Sequence, residues 1–541
     1  MPQRNDPCFC GSQKKYKKCC MNSPASSATL QKNNYQGYLN AAQEAVLKKD
    51  FVSAENYFRN ALMQQKNSAV ALAGLGQSLC QLNRPKEGIP FLDKAGKVLL
   101  KQAKLTREIK NPLDLAYQLI HWHAPEEALI LANAILAIDA NSANANYIAA
   151  LSLQALNKLP EAYSLAIRAV KLAPGESNAI ILLAVLESKL GNVIDARERL
   201  EFVVNKPADA NAARAHLELG VILDKAGEFD LAFKHLTESG KINLDAPAAR
   251  WMDKSAVYRD ITQYKDAFDT KFLQSSANRV VDDGLPSPLF LMGFYRSGIT
   301  LAEQILAAHT QVLSSDEAHL ITEVLNDLLK ITKAPMPLPE RIKSLGSDEI
   351  AHLRKHYWQI AKRTLGQHVM QKVLVDKTAL NTLNIELINT IFPNSVIIFA
   401  LRDPRDVCLS CFMQSFTLSP LTINFLNWTE CARFYALIMD YWILIRDSLS
   451  LQWVELRYED VLNDLEGQFR PIFTKMGLQW SVECSEFYRH SQRKIIKTPS
   501  FDQVTRPLYT SSVHRWRNYE KHFVSILPFL ERYIETFGYS E

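Results

Sequence analysis

The chain has 541 residues, which is too long for a single hydrophobic core and indicates two or three domains. Apolar residues make up 47% and charged residues 22%, as in ordinary globular proteins, and a net charge of +5 does not imply nucleic-acid binding. No apolar run approaches the roughly 20 residues that cross a bilayer, and the polar N-terminus lacks the apolar core of a signal peptide. We therefore expect a cytoplasmic protein with no membrane partner.

Four of the nine cysteines crowd near the N-terminus, around a Gly-Ser turn and a lysine-rich stretch. Four thiolates at this spacing can form a tetrahedral zinc site, and metal binding can fold a segment too small to have a core. The other five cysteines lie in apolar or helical surroundings and suit buried thiols in a reducing compartment. The candidate zinc ligands are Cys8, Cys10, Cys19 and Cys20.

Residues 1–22 resemble the SEC-C motif, a zinc-binding module also found on the SecA ATPase. The resemblance includes residues 4–7, Arg-Asn-Asp-Pro, as well as the cysteines. It implies one structural zinc ion and a docking role toward a protein or a ribosome. The alternative is a disordered basic tail with unrelated cysteines. The Ser/Ala/Asn-rich residues 23–34 are typical of a linker.

From about residue 35 the chain is helical and repetitive. Small residues recur at intervals of 34, apart from one interval of 40 and one of 36, where the second helix of each pair is expected. This period indicates tetratricopeptide repeats, in which small residues allow paired helices to approach closely. The long interval predicts an insertion around residues 104–111. The recurring residues are Ala54, Gly88, Ala128, Ala162, Ala196 and Ala232.

Stacked repeats over residues 35–278 predict an all-α solenoid with a concave groove. Such a groove usually holds an extended peptide or a partner helix, so we expect a protein or peptide ligand there. A plain scaffold or a dimer surface is the alternative. Residues 250–278 are predicted to be closing helices, and the turn-forming residues 281–286 mark the boundary to the last domain.

The C-terminal domain, residues 285–541, begins with a strand, a glycine loop and a helix. An apolar run at 289–292 predicts the strand, and apolar residues at helical spacing follow Gly298. Residues 293–300, the phosphate loop, have the spacing of the nucleotide-binding G-x-x-x-x-G-K-[ST] loop. Ile299 replaces its lysine, and Arg296 supplies a cation inside the loop. The loop therefore suits a phosphate-like group and disfavours a P-loop kinase.

The segment GFYRSGITLAEQIL resembles the 5′-phosphosulfate loop of sulfotransferases, especially bacterial tetratricopeptide-repeat relatives of tyrosylprotein sulfotransferase. The resemblance implies 3′-phosphoadenosine 5′-phosphosulfate as co-substrate and a hydroxyl acceptor, with protein tyrosine as one candidate. Tyr295 and Ile299 replace a proline and a threonine of the family. The alternative is therefore an adaptor protein, built from repeats and zinc motif, with a degenerate catalytic domain. The implied donor-binding residues of the loop are Arg296, Ser297, Gly298 and Thr300.

The same resemblance assigns the 3′-phosphate of the donor to Arg402 and Ser410. Arg402 follows an apolar run at 396–401, which predicts a buried parallel strand. An arginine fork with a hydroxyl suits a terminal phosphate and distinguishes this nucleotide from ATP. A structural ion pair of Arg402 is the alternative. The candidates for covering the donor, which a basic surface helix would also explain, are Arg506, Ser511, Ser512 and Arg515.

Sulfuryl transfer needs orientation, cationic stabilisation and a base. By the resemblance, Glu317 is the base, and Lys377 and Arg296 stabilise the leaving group. The alternatives are a helix-start acid at Glu317 and a solvated cation at Lys377. Further strands are predicted at 373–375 and 452–456. The sequence thus predicts a multidomain chain: a zinc motif, an all-α repeat solenoid and an α/β P-loop-like sulfotransferase domain with a parallel sheet.

Overall fold

The computed structural model describes residues 26–279, 281–332, 335–491 and 506–539. They divide into two compact units, one ending at Leu190 and the other beginning at Gly191. The predicted zinc motif lies outside the described residues. Within these ranges, no helix combines the length and the apolarity needed to span a bilayer.

The first unit consists of helices paired as antiparallel hairpins. Side-chain caps begin several of them: Asp50 accepts from Ser53 N, Ser68 from Ala71 N, and Ser142 from Ala145 N. Other helices begin with proline in the first turn, where a missing N–H costs nothing. The helices are α1 Ser26–Leu47, α2 Phe51–Gln64, α3 Ala69–Gln81, α4 Pro85–Thr106, α5 Lys110–His121, α6 Pro125–Leu136, α7 Ala143–Ala155, α8 Leu159–Leu172 and α9 Ser177–Lys189.

The predicted tetratricopeptide architecture is confirmed by where the small residues lie. Ala54, Ala128 and Ala162 are fully buried on the second helix of their pairs. A Cβ added to Gly88 would lie 2.5 Å from the carbonyl oxygen of Gly76 on the partner helix, so no side chain fits there. The interval of 40 residues contains no long loop, because α4 has 22 residues where α2 has 14.

The second unit begins with three more repeat helices and their closing helices. Ala196 and Ala232 continue the buried small positions. The ring of Phe233 stacks on His522 with centroids 3.9 Å apart, and a Cβ on Gly240 would lie 2.0 Å from the carbonyl oxygen of Leu426. The last repeats therefore form one compact unit with the C-terminal domain. These helices are α10 Val193–Val204, α11 Ala212–Lys225, α12 Phe229–Asp245, α13 Pro247–Arg250, α14 Ala256–Ala267 and α15 Thr270–Ser275.

Five strands of the described residues form one parallel sheet in the order β2-β3-β1-β4-β5. The central strand β1 is buried at every position because helices cover the sheet. Strand β2 was not predicted, since three residues are too few to show a period. The strands are β1 Leu289–Gly293, β2 Val312–Ser314, β3 Val373–Lys377, β4 Val396–Leu401 and β5 Gln452–Arg457.

The carboxyl ends of parallel strands meet at one edge of a sheet, which brings together the loops after β1, β3 and β4. The helices that follow and surround the strands hold this edge in place. They are α16 Ile299–Ala307, α17 Leu320–Ile331, α18 Leu338–Lys343, α19 Ser347–Leu365, α20 Ile385–Ile391, α21 Pro404–Phe412, α22 Trp428–Ile445, α23 Tyr458–Asn463, α24 Leu465–Lys475, α25 Phe487–Ser491, α26 Glu520–Phe523 and α27 Leu527–Thr536.

Candidate active site

The phosphate loop is bent by residues in the left-handed region. Gly293 has φ 155° and Gly298 has φ 96°, and Arg296 between them has φ 64°. A Cβ on Gly293 would lie 2.5 Å from the carbonyl oxygen of Ala400 on β4, so the loop leaves the sheet only through a glycine. Because α16 begins directly after Gly298, its N-terminal end faces the loop and favours an anion there.

Residues predicted from two distant motifs meet in one hydrogen-bonded group. Arg296 Nε donates to Ser410 Oγ at 2.9 Å. Arg402 Nη1 donates to the carbonyl oxygen of Arg296 at 3.2 Å, and Nη2 donates to that of Ser512 at 2.6 Å. We call these four residues the arginine–serine cluster. The 5′ and 3′ elements expected from the sequence are therefore side by side.

The cluster has spare capacity for an anion. Arg402 Nε is buried and has no hydrogen-bond partner among the described residues. Burial lowers the pKa of the Arg296 guanidinium, and the charge of Arg402 lowers it further. A bound anion would relieve both effects. The structural alternative, an ion pair of Arg402 with Asp406, exists only at 4.0 Å.

Lys377 lies buried between two carboxylates at the end of β3. Its Nζ is 2.5 Å from Glu317 Oε1 and 3.4 Å from Glu303 Oε2. Lys377 and Glu303 are each 1% exposed, whereas the Glu317 side chain is 40% exposed. Burial lowers the pKa of Lys377, but the two carboxylates outweigh it, so the pKa lies above its ordinary value. Lys377 is thus a buried cation rather than a solvated one.

Glu303 is a residue that sequence reasoning missed. The signal was available, because Glu303 is the one charged residue of the mainly apolar helix α16. A buried charge is costly unless it is paired, so such a residue implies a nearby cation. The sequence does not say which cation, since Lys377 follows 74 residues later.

Glu317 is held in a strained turn. Asp316, Glu317 and His319 all have positive φ, at 47°, 59° and 50°. Non-glycine residues in this region cost free energy and persist where surrounding contacts hold them, often at active sites. Here the backbone N–H of Lys377 donates to Ser315 Oγ at 2.9 Å, which ties the turn to β3.

The residues expected to cover the donor are only partly brought to the cluster. Ser512 belongs to it, and its Oγ lies 2.8 Å from the hydroxyl of Tyr458. Arg506 and Ser511 are exposed. Arg515 instead pairs with Asp224 on α11.

Tyr509 is a second residue that sequence reasoning missed. Burial raises its pKa to about 12, while the nearby charges of Arg402, Arg296 and Arg506 act to lower it. It therefore lies close to the arginine–serine cluster. The surrounding segment was predicted to cover the donor, but a neutral tyrosine has no charge that would mark it as a contact for an anion.

The four predicted zinc ligands, Cys8, Cys10, Cys19 and Cys20, lie outside the described residues. Among the residues that the structure does describe, no group of three or more His, Cys, Asp or Glu side chains could hold a metal ion.

Comparison with known families decides the class of the C-terminal domain. Residues 288–482 match the sulfotransferase family. The domain that carries the arginine–serine cluster is a sulfotransferase-family domain. Residues 4–22 match the SEC-C motif. With its repeats, the chain fits a tetratricopeptide-repeat sulfotransferase-family protein, as the sequence predicted.

One curated relative is an uncharacterized protein of Aquifex aeolicus (strain VF5), 27% identical over 344 residues. The match covers 61% of this chain and 43% of the relative. The chain therefore spans less than half the length of the curated relative it matches.

Two solved structures resemble parts of the chain. The sulfotransferase domain from the Synechococcus PCC 7002 olefin synthase is 18% identical, with a TM-score of 0.31, and covers 44% of this chain and 89% of its own. A tetratricopeptide repeat protein from Parabacteroides merdae ATCC 43184 is 14% identical, with a TM-score of 0.30, and covers 60% of this chain and 99% of its own.

Proposed function

We propose that the protein transfers a sulfuryl group from 3′-phosphoadenosine 5′-phosphosulfate to a hydroxyl acceptor. The observation that carries this proposal is the contact between Arg296 and Ser410, which joins the loop after β1 to the helix after β4. The site therefore offers hydrogen-bond donors from both elements to the anionic groups of one ligand. The buried, unpartnered Nε of Arg402 fits one of them.

The chain's own residues supply the groups that this reaction needs. The donor, when bound, contributes an activated sulfuryl group. Glu317, partly exposed, accepts the proton of the acceptor hydroxyl. As the bond from the acceptor oxygen to sulfur forms, the bond from sulfur to the nucleotide oxygen breaks. Lys377 and Arg296 stabilise the negative charge that develops on that oxygen.

The family has a threonine at the position of Ile299, and the isoleucine is compatible with the proposed function. Its side chain is 5% exposed and belongs to the hydrophobic cluster that includes Leu291 and Ile305. The substitution removes a hydroxyl but adds packing beneath the loop. This supports an active domain over the degenerate alternative.

Donor binding provides the test. We expect calorimetry to show binding of 3′,5′-bisphosphoadenosine, weaker binding of 5′-AMP, and little response to ATP with magnesium. Arg402→Ala should remove most of the preference for the bisphosphate, by roughly tenfold to a hundredfold, because charged hydrogen bonds contribute about 1.5–3 kcal/mol. Preferential binding of ATP with magnesium would refute the proposal.

For the remaining parts of the chain, we propose that the SEC-C motif holds one structural zinc ion on its four cysteines. We further propose that the repeat groove binds a protein or peptide, and that protein tyrosine is one acceptor. The supporting observations are the family match at residues 4–22 and the repeat fold. Trapping with radiolabelled donor and a cell lysate would identify acceptors directly.

A further inference from the structure

A pocket of about 420 Å³ lies beside the proposed base Glu317. Its walls come from the closing helix α14, from α17, from the phosphate loop and from the segment after β3. Two tyrosines, Tyr264 and Tyr295, and several leucines give it apolar surface, and polar side chains form the rest of the lining. It is thus large enough for an aromatic ring that packs on this apolar surface and presents a hydroxyl to Glu317.

One residue that lines this pocket has a side-chain donor without a partner among the described residues. Asn381 is 3% exposed, and its side-chain Nδ2 makes no hydrogen bond to any described residue. It lines the pocket four residues after Lys377. A buried N–H donor is normally satisfied, so an unpaired one on a residue that lines a cavity suits a ligand oxygen.

Two carboxylates line the pocket, Asp260 and Glu317, together with His319. Asp260 on α14 lines it, is exposed, and makes no ion pair with any described residue; the neighbouring Arg259 pairs with Asp253. Glu317, the other carboxylate of the lining, is neutralised by Lys377 at 2.5 Å. No Lys or Arg is among the described lining residues. Asp260 is therefore an exposed carboxylate of the lining that a cationic ligand can reach.

We propose that this pocket selects a hydroxyl acceptor that carries a positive charge, with Asp260 facing the cation and Asn381 donating to an acceptor oxygen. The acceptor class is a phenol or similar hydroxyl on an apolar body with an ammonium or guanidinium group nearby, such as tyrosine next to lysine or arginine. The inference rests on the proposed sulfotransferase function. It makes the last helices of the repeat region part of acceptor selection.

Two phenols of opposite charge test the proposal. Tyramine and 4-hydroxyphenylacetate share a ring and differ in the charge of the side chain, and ligand-observed NMR measures their weak affinities. We expect the full-length protein to bind tyramine about fivefold more tightly, the upper range for a partly exposed ion pair. Asp260→Asn should abolish this preference and Asp260→Lys should reverse it. Asp266→Asn, an exposed acid on the same helix that does not line the pocket, should leave the preference intact.

Asn381→Ala tests the second contact. It should weaken the binding of both phenols by about tenfold, which corresponds to one hydrogen bond to a buried donor. The affinity for 3′,5′-bisphosphoadenosine should stay unchanged. Equal binding of the two phenols, tighter binding of 4-hydroxyphenylacetate, or no binding of either would overturn the proposal. The phenol affinities should be measured with and without 3′,5′-bisphosphoadenosine, so that acceptor preference and donor binding are separate results. Absence of donor binding would refute the proposed function rather than this proposal.

Discussion

The ammonium group of Lys377 binds the carboxylate of Glu317 at 2.5 Å, inside a site where only 1% of the lysine side chain is exposed. This contact joins the end of β3 to the strained turn before α17. It fixes the position of the proposed base next to the proposed stabiliser of the leaving group. Single substitutions at this pair should therefore change sulfuryl transfer without changing donor binding.

Glu317→Gln should abolish transfer and keep donor binding. The amide keeps the size of the side chain but cannot accept a proton, so we expect kcat to fall by about 10² to 10⁴. Affinity for 3′,5′-bisphosphoadenosine should stay within about threefold, since Glu317 lies outside the arginine–serine cluster. Glu317→Asp is the matched control and should retain part of the activity. Unchanged turnover in the glutamine variant would remove Glu317 from its role.

Glu303→Gln should shift the pH dependence of the reaction. The carboxylates raise the pKa of Lys377, so its charged form is stabilised and is lost as the pH rises through that pKa. Removing one carboxylate lowers the pKa, and the basic limb of the kcat profile should begin at lower pH. Glu323→Gln, on α17, should leave the profile unchanged. An unshifted basic limb in the Glu303 variant would contradict the pairing.

Gly298→Ala should disable the phosphate loop. The added Cβ would lie 2.8 Å from Cδ2 of Tyr458, in addition to the cost of φ 96°. We expect a loss of about 1–3 kcal/mol in stability and a measurable loss of donor affinity by calorimetry. Gly477→Ala is the matched control, because it has φ 70° but open space around it. Equal effects of the two substitutions would show that only backbone strain matters.

Asp224→Ala should uncouple the last repeats from the cluster. Asp224 pairs with Arg515 and accepts a hydrogen bond from the hydroxyl of buried Tyr519 at 2.8 Å. Leaving the Tyr519 hydroxyl without its acceptor should lower the free energy of unfolding by about 1–3 kcal/mol and weaken donor binding through the nearby Ser512. Asp230→Ala, which removes an exposed pair, should have little effect. Chemical denaturation and calorimetry measure both.

Zinc binding should require only the N-terminal cysteines. Elemental analysis should find about one zinc ion per chain, and deletion of residues 1–22 should remove it. Donor binding should survive the deletion, since every residue of the arginine–serine cluster lies in the C-terminal domain. Collapse of the remaining chain would argue against an independent module.

How much of the site was predictable can be judged from particular residues. Arg296 was identified from the glycine spacing of its loop, and Arg402 and Ser410 from the resemblance to the sulfotransferase family. The five-stranded parallel sheet confirms the predicted α/β fold, but the roles of these residues toward the donor remain predictions. Glu303 and Tyr509 were not predicted, because their roles depend on residues far along the chain. Strand β2 was not predicted, because three residues are too few to show a period.

The sequence by itself determined the modules, because repeat period, strand runs and glycine spacing are local patterns that need no knowledge of distant contacts. The tertiary structure alone decided which charges meet: that Lys377 is shared by Glu303 and Glu317, that Arg515 faces Asp224, and that Asp260 stands at the pocket without a cation. The physical reason is that the energy of a charge depends on its burial and its neighbours, and both are set by chain segments far apart in sequence.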